Sequence, residues 1–258
     1  MENEKRNGMF RTIVTVLLLL LFQQSASAAG RFIADRFTFD RIDAYGLFAW
    51  VSVHHVVQML CAIILIIILA KVLKLDFGFG LGDRKTGVEF VANFAVAALA
   101  FALIWHLGAQ ALGNVGMPDY PLNFNHIAGQ LGFQLLLSGP SEEILFRALP
   151  ITLLAYSFRE SKVVCSFQEN RMLRNEKLHI SLENIIAALL FTLAHVSWSL
   201  NPFSVCASWV QLTLSMILGL WYGIAYQKSK SILYPMAMHS IWNVVMVGAR
   251  YIHLALLL

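Results

Sequence analysis

Apolar stretches long enough to cross a bilayer recur along this chain, and no other feature narrows its fold as much. They run over residues 44–70, 88–112, 126–158, 184–200 and 203–226, and from 232 onward, with the charged residues gathered in the gaps. One helical crossing needs roughly 20 apolar residues. A backbone crossing the hydrocarbon must satisfy its own N–H and C=O groups, so runs of this length imply helices. The expected fold is all-α: a polytopic bundle of about six spans plus an N-terminal signal-like or anchor helix.

Composition excludes the soluble alternative. The 258 residues are 58% hydrophobic and 13% charged, with mean hydropathy +0.66, where soluble domains average about 45–50% apolar and about 25% charged. The formal charge of +4 does not point to nucleic acid, because the basic residues lie in short loops beside apolar runs. Cys61, Cys165 and Cys206 are too scattered for a disulfide framework or a cysteine metal site. They read as small interior residues.

Residues 1–30 combine a basic start (Lys5, Arg6, Arg11), an apolar run over 13–22 and Ala26-Ser27-Ala28. This is the layout of a secretory signal, and it serves equally as an uncleaved anchor helix. Residues 31–258 form the membrane domain. Alternating sides from the first segment places 71–87, 159–183 and 227–231 inside, where the lysines and arginines are. It places 113–125 and 201–202 outside, with a turn at Asn201-Pro202 and the C-terminus also outside. Segment 31–43 departs from this pattern, since it carries Arg31, Arg36 and Arg41 beside three aspartates. Gly78, Gly80 and Gly82 mark a flexible turn. The run 126–158 is too long for one straight crossing, so a kink or break is expected at Gly139-Pro140.

Just past that point stand Glu142, Glu143 and Arg147. An ionisable group near the bilayer centre costs at least ~2.5–3.5 kcal/mol, and such groups pair and mark function. Glu143 and Arg147 are i and i+4 with the acid first, the favoured order for an ion pair. Glu142 points about 100° away. His195 lies inside a later span, and His239 and Asn243 share one face of the last. A carboxylate beside a histidine can activate water as a general base, and a second histidine with an amide can stabilise an oxyanion. The pair His54-His55 points in two directions on a helix and reads as interfacial or packing, as do His106 and His126. Gly219 and Gly223 suit close helix contact.

These residues also carry a resemblance. Glu142-Glu143-x-x-x-Arg147, Phe191-x-x-x-His195 and His239-x-x-x-Asn243 resemble, in order, the three motifs of the CAAX-protease and bacteriocin-processing (CPBP, or Abi) intramembrane protease family. The likeness covers about residues 85–250, the protease-like core. It implies an intramembrane endopeptidase in which Glu142 and His195 activate water and His239 and Asn243 form the oxyanion side. Glu143, Arg147 and Phe191 support them. Ala148 stands where the family commonly has glycine.

No cofactor is favoured. Zinc on His195, His239 and Glu142 is the alternative, although no H-E-x-x-H is present. Expected partners are the lipid bilayer and a membrane-embedded or membrane-associated peptide or protein substrate, without nucleic acid. The expected setting is a bacterial plasma membrane, and the basic 159–183 loop could orient substrates. Two other classes fit buried Glu and His: a proton-coupled transporter, and a non-catalytic membrane immunity or scaffold protein.

Overall fold

In the computed structural model the chain is a helical bundle; residues 2–116, 118–158, 180–200 and 202–257 are described. The cytoplasmic loop expected at 159–183 therefore lies largely outside the described residues. So do its Arg159, Lys162, Arg171, Arg174 and Lys177, and also Cys165 and Asn201.

Helix α1 (Glu2–Ala34) packs along α2 (Ala49–Leu73). Helix α3 (Arg84–Ala111) lies away from this pair. The stretch 124–158 is the hub, made of α4 (Phe124–Phe133), α5 (Gly139–Glu143) and α6 (Leu149–Phe158) joined by wide π-turns at Gln134–Ser138 and Ile144–Ala148. Helix α7 (Leu182–Leu193) pairs with α8 (Trp209–Ser229), and α9 (Leu233–Leu257) packs on α3 and α5. Among the described residues five helices, α1 among them, are long and apolar enough to cross a membrane. Their outward faces carry Leu17, Leu18, Ile64, Ile68, Leu99 and Ile104, all exposed. Such a surface is stable only against lipid, and the protein is an integral membrane protein.

Polar side chains start most of these helices. Asp43 accepts from the amides of Leu47, Phe48 and Ala49 (2.8, 2.7 and 2.6 Å) at the head of α2. Asp83, Asn123, Ser181 and Ser208 cap α3, α4, α7 and α8, each taking an amide the helix cannot use. The glycine turn is tightly docked rather than loose. The Gly78 carbonyl accepts from the Ile232 amide (2.8 Å), and a Cβ at Gly82 (φ +53) would meet Ser229 O at 2.1 Å.

Three expectations change. Of the kink or break expected at Gly139-Pro140 the break is absent: the chain stays helical and widens on both sides. Pro140 has no N–H to return to the preceding turn, and Leu135 O instead accepts from Ser240 Oγ (2.9 Å). Such local widening keeps a proline-bearing helix satisfied at depth. The span expected over 184–200 ends at Leu193. Beyond it β1 (Ser197–Leu200) and β2 (Phe203–Cys206) pair antiparallel, Trp198 opposite Val205 and Ser199 opposite Ser204. Alternating serine with large apolar residues suits a two-faced strand, and Pro202 cannot continue a helix. Cys206, read as interior, is exposed on β2.

Candidate active site

Glu143 and Arg147 are sealed in the hub, each with 0% side-chain exposure, with Arg147 Nε 3.3 Å from Glu143 Oε2. The guanidinium lies over the Phe191 ring (4.0 Å) and near that of Tyr222 (5.5 Å), an arrangement that offsets part of its desolvation. Small residues make the room. A Cβ at Gly219 would lie 3.1 Å from Arg147 Nη2, and one at Gly223 only 1.8 Å from Asn184 Oδ1.

The other oxygen of Glu143 reaches α9, where His239 Nδ1 donates to Glu143 Oε1 at 2.8 Å. Arg147, Glu143 and His239 thus form a buried ladder. Since Glu143 holds the Nδ1 proton, a neutral His239 presents its Nε2 lone pair, 3.8 Å from Glu142 Oε2. His195 Nδ1 donates to the Phe191 carbonyl (2.9 Å), which likewise turns Nε2 outward as a lone pair.

Glu142 stands apart from its neighbour, with 19% of its side chain exposed. It lines a cavity of about 660 Å³ together with Phe146, Phe191 and His195. The far wall is built by Gln23, Gln24, Ser27 and Arg31 of α1 and by Trp50, His54 and His55 of α2; Ser197 and Trp198 of the hairpin complete it. Asn243, one turn beyond His239, donates one amide hydrogen to Ser138 Oγ (3.0 Å) and keeps the other. The structure therefore places Glu142 and His195 on one cavity, joins His239 to both glutamates, and ties Asn243 into the π-turn.

Residues outside the expected set also belong here. His55 Nε2 is 3.8 Å from Glu142 Oε1, and His55 Nδ1 is 2.7 Å from Ser141 Oγ. Both histidines of the pair line the cavity, and His55 is the one that reaches Glu142. Its neighbour His54 stacks on Trp50 (5.3 Å). Ser138 and Ser141 carried no sequence signal beyond their nearness to the acidic pair.

Among the described residues no group of three or more His, Cys, Asp or Glu is placed to hold a metal ion.

Residues 124–245 match the family model described as type II CAAX prenyl endopeptidase Rce1-like. This segment, just under half of the chain, is similar to that family. Curated proteins and solved structures give no match. The Rce1-like segment contains the ladder, Glu142, His195 and Asn243, whereas α1, α2 and α3, and with them much of the cavity wall, lie outside it.

Proposed function

We propose that the chain is an intramembrane endopeptidase that hydrolyses peptide bonds of membrane-associated peptides or proteins with water activated by Glu142 and His195. The family match supports a membrane protease. The observation that carries the mechanism is Glu142, a carboxylate on a polar cavity within the span, next to a sealed ladder that orients an imidazole beside it.

Water held between Glu142 and His195 Nε2 attacks the scissile carbonyl carbon as Glu142 takes its proton. The carbonyl π-bond opens to an oxyanion, which the free amide hydrogen of Asn243 meets. His239, held through its Nδ1–H by Glu143, keeps its Nε2 against Glu142 beside the reacting carbonyl. The C–N bond then breaks, and the leaving nitrogen takes the proton collected from water. Arg147 holds Glu143 in register throughout. Substrates reach this site from a bilayer, with a bacterial plasma membrane as the setting.

The test compares peptides released in membranes of cells making wild-type protein, Glu142→Ala or His195→Ala. Products present with wild type should vanish with both variants. Unchanged products in both would overturn the protease reading.

A further inference from the structure

His55 belongs to α2, outside the matched segment, yet one ring nitrogen is hydrogen-bonded to α5 and the other faces Glu142. Ser141 Oγ donates its only hydrogen to the Ser138 carbonyl (3.1 Å). The 2.7 Å contact between Ser141 Oγ and His55 Nδ1 is therefore one that His55 donates. This fixes the tautomer of the neutral ring and leaves a lone pair on Nε2, aimed at Glu142 Oε1 from 3.8 Å. The ring plane is set by edge contacts with Phe133 (5.1 Å) and His54 (5.5 Å).

A packing role accounts for Nδ1, which ties α2 to α5, but not for Nε2. Two acceptors facing each other in a site of low polarity repel unless a hydrogen lies between them. Glu142 has an imidazole lone pair toward each oxygen, His55 at Oε1 and His239 at Oε2. A hydrogen placed on Glu142 has an acceptor waiting at either oxygen, and a general base carries such a hydrogen once it has taken a proton.

We propose that His55 is a positioning residue for Glu142. When Glu142 takes the proton of the attacking water, an O–H bond of water breaks and Oε1–H forms, and His55 Nε2 accepts the resulting hydrogen bond. The proton stays there through the life of the tetrahedral intermediate. As the C–N bond breaks, Oε1–H breaks and the proton forms N–H on the leaving amine. The titratable groups facing His55 are Glu142 of α5, His239 of α9 beyond that carboxylate, and His54 on its own helix. This role rests on the reading of Glu142 as base.

Two isosteres separate the functions of the ring nitrogens. Asparagine places its amide near the Nδ1 position and can keep the bond to Ser141. Glutamine reaches the Nε2 position, where its amide oxygen can accept from a protonated Glu142. The whole chain is expressed as wild type, His55→Asn, His55→Gln, His55→Ala and Glu142→Gln, with melting temperature measured for each. Initial rates are taken for the membrane peptides whose appearance requires Glu142. His55→Gln should keep most of the rate and His55→Asn should lose about 10- to 100-fold, less than the roughly 10²–10⁴-fold that a positioned acid or base itself contributes. Exogenous imidazole should partly restore His55→Ala. His55→Asn at or above the rate of His55→Gln, with Glu142→Gln silent, overturns the role of His55 and leaves the Glu142 base intact. Glu142→Gln cleaving like wild type overturns the base itself and His55 with it.

Discussion

Glu143 and Glu142 are neighbours in sequence but stand in two different regions. One belongs to a closed ladder with Arg147 and His239, at 0% exposure. The other opens onto a cavity of about 660 Å³. The first region has every reason to be rigid, because a buried charge that loses its partner has no water to turn to. The second keeps a carboxylate where water and a substrate can reach it, next to imidazoles whose tautomers are set from behind. The contrast is between a group sealed into the fold and a group that the fold leaves open to the cavity.

The largest effect should come from splitting the closed ladder. Arg147→Met leaves the buried Glu143 without its cation, and removing one partner of a buried pair typically costs about 3–5 kcal/mol. The variant should melt far below wild type in detergent. The double variant Arg147→Met with Glu143→Gln should recover much of the loss, because no orphan charge remains. Equal melting of wild type and Arg147→Met would erase the distinction between the two regions.

Glu142→Gln should do the reverse. Cleavage should fall by about 10²–10⁴-fold, the usual contribution of a positioned base, with melting unchanged or raised. The side chain is partly exposed, and its contacts with His55 and His239 are at 3.8 Å rather than at hydrogen-bond length. A Glu142→Gln variant that melts like Arg147→Met would assign both carboxylates to structure. Rates and melting curves on the same preparations decide this.

The sequence made half of this contrast visible. Glu143 and Arg147 meet because helical period brings i and i+4 together, which is local information. The grouping of His195, His239 and Asn243 came from their shared depth in apolar spans. What stayed hidden depends on how helices cross. The Glu143–His239 hydrogen bond joins residues 96 apart in sequence, and nothing in either span states its register. His55 was hidden in the same way, since only the packing of α2 on α5 decides which histidine of an adjacent pair faces inward. The hairpin was missed because Ser197–Leu200 and Phe203–Cys206 are apolar enough to extend a span on hydropathy alone. The widened turns at Pro140 follow from its missing N–H, but sequence alone does not say whether the helix widens or breaks.

A smaller effect tests the shell that keeps the ladder closed. Gly223→Ala puts a methyl group 1.8 Å from Asn184 Oδ1, where Asn184 is fully buried and donates to Leu220 O at 3.0 Å. Forcing extra volume into packed helices costs about 1–3 kcal/mol. The melting point should drop by less than in Arg147→Met, and pairing the change with Asn184→Ser should restore part of it. A neutral Gly223→Ala would show that α7 and α8 can separate freely behind Phe191.

The smallest effect belongs to a third carboxylate, which sharpens the comparison by lying at its open limit. Asp83 caps α3 at the membrane edge, accepting from the Thr86 hydroxyl (2.8 Å) and the Thr86 amide (3.1 Å). Hydrogen bonds from that hydroxyl, and then from the amide, hold its carboxyl below the ordinary value of 3.8. A folded value below the unfolded one means that the cap's ionic contribution is present above the unfolded value and is lost as pH falls through the folded one. An asparagine in its place would still accept from Thr86 but would not titrate, so Asp83→Asn should leave the structure unchanged at neutral pH. The melting difference between wild type and Asp83→Asn should be constant at neutral pH and should shift only below the ordinary carboxylate range. Solvent screens an exposed group of this kind, so paired melting curves are needed to see the shift. A difference that changes instead near neutral pH would mean that the cap senses another titrating group, and Asp83 would no longer serve as the solvent-exposed reference for Glu142 and Glu143.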